Sequence, residues 1–353
     1  MVSYGLIGYV SAPNVDWLPD RGQPAPAADD PKAWEPRPEA PVGGWLPESR
    51  WEPRPFFDVR RCTVPVGQIL DLAPGVDDIP SLDEPRFVTP QMAGLQDSDE
   101  VLAVKVRNAA RCYPLSVLKW HNVVNDVLEG EPIAVLFDPL CAGVMGFSRV
   151  VGRSLRTFGV PGKAFNGAAL LYDRETRALW YPLRGECISG PEAGHTRLTP
   201  VGVERTTWGK WRQRHPGSLV LARPTGYGRP YDLDPYAQAP AGPGGTAVNF
   251  WAPNSPLLAP APNPPNIRDI GPKVRVLGIR PAPGERAVAF IPPEHPTGQV
   301  PLVFPGESRP CGVYDGQSLA VLEEDPRRAR QVECFWYAWV AAYPDTVIVR
   351  VGP

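Results

Sequence analysis

The chain has 353 residues, 43% of them hydrophobic, and a formal net charge of −2. That is ample for a sizeable core of one large or two medium domains. The near-neutral balance offers neither the basic excess of a nucleic-acid binder nor an acidic solvating tail. With 47 Pro and 34 Gly, long helices are disfavoured, because Pro lacks an N–H and breaks helix interiors, and short strands, turns and extended segments should dominate.

Residues 1–70 read as a Trp/Pro-rich extended arm. Four related units recur in it, Trp17-Leu-Pro-Asp, Trp34-Glu-Pro-Arg-Pro, Trp45-Leu-Pro-Glu and Trp51-Glu-Pro-Arg-Pro, separated by Pro/Ala/Asp stretches. Such composition favours polyproline II and builds no core of its own. Four Trp call for a surface to cover, so the expectation is an arm laid over its own body or one that grips a protein partner, with a plain disordered tail as the remaining alternative. The first residues have no basic n-region and give no clear signal peptide. No run approaches the ~20 apolar residues of a membrane span; the expectation is a soluble or peripherally associated protein.

Residues 71–222 carry the first α+β half. Glu100–Arg107 alternates as a strand, Ala109–Tyr113 extends it into a hairpin, and Pro114 opens a short helix. On that helix His121 is expected to share a face with Val117, Leu118, Val124 and Asn125. Ile133–Phe137 is a continuous apolar run, the mark of a strand buried on both faces. Hairpins are expected over 146–160, turning at Gly152-Arg153, and over 170–181, turning at 173–176. Residues 207–215 form a short amphipathic helix stopped by Pro216-Gly217, and 218–222 a strand. Residues 223–272, rich in Pro, Gly, Tyr and Asn, read as a long connection. Residues 273–353 read as a second, shorter half. The segment 206–221, TTWGKWRQRHPGSLVL, aligns without gaps to 334–349, CFWYAWVAAYPDTVIV. Trp208 matches Trp336, Trp211 matches Trp339 and Pro216 matches Pro344. The fold class is therefore α+β and β-rich, two related halves packed as one globular unit, each stapled by a Trp pair.

The stretch 113–147 is where chemistry would sit. It sets His121, Asp138 and Cys141 beside an apolar core strand. The three could form a mixed metal site for copper or zinc, or a Cys–His nucleophile pair oriented by Asp. A fourth ligand would be water, Cys187 or Cys311. Against this stands a buried His bonded to a backbone carbonyl, Cys141 packed as a hydrophobe, and Asp138 capping the turn that follows it. Cys62, Cys112, Cys141, Cys187, Cys311 and Cys334 show no CxxC or zinc-knuckle spacing. His195 and His295 read as loop residues and His215 as a helix-end cation. Asn166-Gly167 and Arg184 are candidates to line a pocket. No P-loop, GxGxxG, HExxH or GxSxG occurs, which disfavours nucleotide cofactors and serine-hydrolase chemistry.

Several ordered motifs, DIPSLDEPRF (78–87), YPLSVLKWHNVVND (113–126), LYDRET (171–176), GECISGP (185–191), the Trp helix with His215-Pro216, and FWYAW (335–339) with YPDT (343–346), together resemble the bacterial family known as domain of unknown function 3179. The resemblance covers roughly 70–350. It implies an extracytoplasmic setting, since many relatives carry signal peptides, and no established reaction. The family pattern after the His helix is Cys-Pro-Leu-Cys-Gly-Thr; here it reads Asp138-Pro139-Leu140-Cys141-Ala142-Gly143. The resemblance thus implies a dithiol, able to cycle to a disulfide or hold a soft metal, whose first cysteine has become Asp138. Two functions follow as expectations: a structural or accessory subunit with a decayed thiol or metal site and an arm that binds a protein partner, or a metal-dependent or thiol redox enzyme using His121, Asp138 and Cys141. A carbohydrate- or small-ligand-binding module, resting on aromatic content alone, is a third.

Overall fold

The computed structural model describes residues 56–72, 75–237, 239–240, 247–255, 257, 269–293, 298–316 and 318–352. The four Trp units of the arm, His295 and most of 241–268 lie outside them. From Phe56 the chain runs along its own body. Phe57 is buried with its ring edge-on to Tyr172 at 5.6 Å, Thr63 N–H donates to Ile188 O, and Leu70 and Asp71 pair antiparallel with Ala164 and Lys163.

The elements that position the site follow in order. After β1 (Phe87–Val88), β2 (Glu100–Val106) and β3 (Ala109–Pro114) form the expected hairpin. Val101–Val104 are all fully buried, with Leu102 and Val104 in one core and Val101 and Ala103 in another. The period-2 pattern thus serves two apolar faces rather than one. Helix α1 (Leu115–His121) buries Leu115, Val117, Leu118 and His121. It ends one turn sooner than the sequence suggested. Asn122 turns to φ 61°, ψ −35°, and β4 (Val123–Leu128) begins at once, so Val124 and Asn125 belong to a strand and not to the face of His121. Consecutive β-branched valines favour the strand, and Asn tolerates positive φ better than most residues.

A turn with both Glu129 and Gly130 at positive φ, the geometry that matches strand twist, leads into β5 (Glu131–Asp138) and β6 (Gly143–Ser148). On β5, Ile133, Val135 and Phe137 enter one core and Ala134 and Leu136 the other, as its unbroken apolar run requires. Next come β7 (Val203–Thr207), α2 (Trp208–Arg214), β8 (Leu219–Leu221), β9 (Arg275–Ile279), β10 (Val288–Ile291), β11 (Gln331–Phe335), α3 (Trp336–Ala342) and β12 (Val347–Arg350). The three α-helices among the described residues have seven residues each, so the fold is β-rich.

Two sheets carry most of these strands. One has the order β7-β2-β3-β8-β1, the other β12-β10-β9-β11-β6-β5-β4. In each, a hairpin is flanked on one side by an antiparallel strand, followed by a helix, and on the other by a parallel strand. Thr207 stands opposite Glu100, as Phe335 does opposite Arg275. Trp211 Nε1 donates to Ser218 Oγ at 2.7 Å, and Trp339 Nε1 to Thr346 Oγ1 at 3.0 Å. Both Trp are fully buried, which fixes each short helix to its sheet. Smaller hairpins at Val150–Leu155 and Leu171–Tyr181 fall where Gly152-Arg153 and 173–176 placed them.

Candidate functional site

Asp138 ends β5, and the chain turns through Pro139–Ala142 into β6, with Ala142 at φ 51°. The Asp138 carboxylate closes this turn. Its Oδ1 accepts from Leu140 N–H at 2.8 Å, and its Oδ2 accepts from Ala169 N–H at 2.8 Å and from the Cys141 thiol at 3.2 Å. Asp138 is 5% exposed and Cys141 not at all. Burial raises the Asp138 pKa, against the lowering effect of those hydrogen bonds. Burial pushes the Cys141 thiol well above its ordinary value, and the charge of Asp138 and the neighbouring Cys334 push it further. The thiolate, which is the nucleophile and the metal ligand, is strongly disfavoured.

His121 lies at the other side of the Asn122 turn and uses both ring nitrogens elsewhere. Nδ1 is 2.8 Å from Pro80 O and Nε2 is 2.6 Å from the Tyr231 hydroxyl. A carbonyl only accepts, so Nδ1 carries the proton and Nε2 accepts from Tyr231 O–H. The Tyr231 oxygen in turn accepts from Thr225 Oγ1. Burial drives the His121 pKa down to about 4, the Pro80 bond opposes this, and the charge of Arg229 adds to it.

The fold thus joins Asp138 to Cys141 and engages His121 with other partners. Among the described residues, no group of three or more His, Cys, Asp or Glu side chains is placed to hold a metal. Between Asn122 and Asp138 lies a cavity of about 20 Å³, walled by Leu136, Met145, Val160 and Leu170. That is the room one water needs and too little for an organic substrate. The Asn122 Oδ1, buried in this region, has no hydrogen-bond partner among the described residues.

The other candidates are dispersed. Cys187 Sγ contacts Ser189 O at 3.2 Å, and Cys311 is buried in a separate core with Leu302 and Val321. The thiol brought near Cys141 is that of Cys334 on β11, whose successor Phe335 donates its N–H to Cys141 O at 2.7 Å. His195 is exposed. His215 ends α2 and meets Glu323 Oε1 at 2.6 Å. Asn166 and Arg184 bond the carbonyls of Ala341 and Ala342 at the end of α3, so they tie that helix down and do not line the cavity. Residues that sequence reasoning passed over are Thr225, Tyr227, Arg229 and Tyr231. They come from the Pro/Gly-rich connection, whose first part, 223–237, folds against α1. Only its aromatic content hinted at this.

The family of the chain is settled by residues 76–293, which match the family described as protein of unknown function (DUF3179). The chain belongs to this family. The match takes in β1 to β10 and stops short of the 350 that the motifs suggested, leaving β11, α3 and β12 beyond it. No curated protein and no solved structure matches the chain. No described helix is long and apolar enough to cross a membrane.

Proposed function

We propose that the chain is a structural or accessory subunit on this family's scaffold, with its thiol site decayed, and that the arm of residues 1–70 binds a protein partner through the part before Phe56. The observation that carries the reading is the closure of Asp138 on Cys141. The carboxylate accepts three hydrogen bonds, from Leu140, Ala169 and Cys141, in a setting with no room for substrate. A group so engaged locks a turn between β5 and β6, and three of its acceptor positions are committed to that turn and its neighbours. The Trp/Pro units supply, by their composition, the apolar area that suits a partner surface. The four-strand order shared by the two sheets, β7-β2-β3-β8 in one and β11-β9-β10-β12 in the other, and the matching Trp contacts support a duplicated α+β unit, which gives a stable platform for such an arm. An extracytoplasmic setting, suggested by the resemblance, belongs to the same proposal.

The second reading is a copper- or zinc-dependent or thiol redox enzyme at His121, Asp138 and Cys141. What favours it is the approach of Cys334, which gives Cys141 a second thiol neighbour in place of the one that Asp138 displaced. One set of measurements separates the two. The full chain and a chain lacking residues 1–55 are isolated natively, weighed by native mass spectrometry, assayed for metals and titrated with a thiol reagent. The accessory reading expects the full chain in a complex with a second protein species, the shortened chain alone, and Cys141 unreactive until unfolding. Stoichiometric copper or zinc in a monomer, with Cys141 reacting in the native state, would overturn it.

A further inference from the structure

The two sheets correspond strand for strand up to their parallel strands and then differ. In the first sheet β8 is not an edge. On its outer side β1 lies antiparallel, with Val220 opposite Val88 and Leu221 opposite Phe87, and Ala222 N–H donates outward to Arg86 O at 2.8 Å. In the second sheet the corresponding strand, β12, is the last one. The gap-free alignment of 206–221 with 334–349 sets Ile348 at the place of Val220, and two residues on Arg350 falls at the place of Ala222. Val347 and Val351 donate their N–H groups inward, to Ala287 O at 2.8 Å and Ile291 O at 2.9 Å. Strand alternation therefore turns the N–H and C=O of Ile348 and Arg350 outward, where no strand among the described residues pairs with them. Val347, Ile348 and Val349 are half-buried. Val347 and Val349 pack on the core of Leu277 and Phe290, and Ile348 on that of Trp339. The open edge thus continues an apolar layer on each face, and apart from Arg350 it has none of the charges or prolines that protect an edge strand.

We propose that residues 2–11 of this same chain, VSYGLIGYVS, add to β12 as an antiparallel strand, in the place that β1 takes on β8. Pro cannot donate to a ladder, and among the residues outside the described ones only 1–12 run for more than five positions without it. Residues 1–12 also contain no Asp, Glu, Lys or Arg, which suits a strand whose two faces both extend apolar layers. Val2, Tyr4, Ile7, Tyr9 and Val10 favour the extended state. Reach is no obstacle, since at ~3.3 Å per residue the intervening residues 12–55 can span on the order of 100 Å. Tethering holds the segment at an effective concentration of about 1 mM, above that of a second copy in solution, which favours the chain's own segment over exchange between copies. The inference does not rest on what the Trp units bind. It anchors the arm at residues 2–11 as well as from Phe56 onward, with the Trp units between.

The test is amide hydrogen exchange on the full chain, read residue by residue by NMR, with native mass spectrometry alongside. In the full chain the Ile348 and Arg350 amides should be protected as the Val349 amide is. Deleting residues 1–11 should speed their exchange by about tenfold or more and leave Val349 protected, with no change in stoichiometry. Tyr4→Pro combined with Ile7→Pro, which keeps the arm's length but breaks the strand, should act as the deletion does. Both variants keep the Trp units, so the outcome is separate from that of partner binding. Ile348 and Arg350 unprotected in the full chain, or equally protected in either variant, would overturn the proposal. So would a dimer that reverts to a monomer on deletion of residues 1–11, because the added strand would then come from a second copy.

Discussion

Replacing His121 by Gln should flatten the pH dependence of stability between pH 7 and pH 5. In the folded chain the His121 pKa is held near 4 by burial, while in the unfolded chain it returns to the ordinary ~6.5. The sign follows. Between these values the unfolded state binds a proton that the folded state refuses, so stability rises with pH in this window. The contribution is fully present above about pH 6.5 and is lost as pH falls towards 4. At about 1.4 kcal/mol per unit, the full span of roughly two and a half units is worth about 3 kcal/mol. Restricting the comparison to pH 7 and 5 captures about 2 kcal/mol of it and avoids most carboxylate titration. Gln can donate to Pro80 O and accept from Tyr231 but cannot titrate, so the difference between the two proteins isolates this ring from the other three histidines. The assay is urea unfolding followed by Trp fluorescence at the two pH values. Wild type should lose about 2 kcal/mol more than the variant. Equal losses would show that His121 titrates normally and that its buried, doubly bonded setting is wrong.

Three further outcomes test other parts of the framework. Asp138→Ala leaves the Leu140 and Ala169 N–H groups and the Cys141 thiol without their acceptor and should cost about 3 kcal/mol in urea unfolding; a neutral result would remove the turn-locking role of Asp138. Gly278→Ala drives a Cβ into the Trp339 ring and should cost about 1–3 kcal/mol, seen as a lower thermal midpoint; an unchanged midpoint would mean that β9 and α3 are not packed this closely. Trp211→Phe and Trp339→Phe each lose the bond to Ser218 or Thr346 and part of a fully buried ring. Each should cost about 2 kcal/mol, and strongly unequal costs would argue against equivalent roles for the two Trp.

The parts of the fold that were legible from sequence are those where one local physical signal decides. The apolar run Ile133–Phe137 has no polar face to show to water, so it lies between two cores. Pro216-Gly217 stops α2, and Gly152-Arg153 turns its hairpin. The end of α1 was not legible, because apolar spacing continues smoothly from Leu118 to Val124. What decides there is a single unusual backbone conformation at Asn122, held by Phe137 N–H donating to Asn122 O at 2.8 Å across to β5. A tertiary bond of that kind leaves no trace in local periodicity.

The same distinction explains why the candidate site was half visible. His121, Asp138 and Cys141 stand close in sequence, and proximity along the chain suggested proximity in space. The strand β4 and its turn intervene, and the sheet separates the carboxylate–thiol pair from the imidazole. The partners that the imidazole does acquire come from 110 residues downstream, in the case of Tyr231, and from Pro80 upstream. Pro80 belongs to a segment that pairs back onto the strand after α1, through Leu82 N–H to Val123 O and Asn125 N–H to Leu82 O. The position of its carbonyl is therefore set by backbone bonds to β4. Tyr231 is set by successive tight turns. The histidine is thus oriented from both sides by main-chain geometry, while Asn122, strained and with an unpartnered Oδ1, holds it one residue from the cavity that Asp138 also lines. A backbone outlier of this kind persists because the structure around it over-determines it, here through the Phe137 N–H bond to Asn122 O.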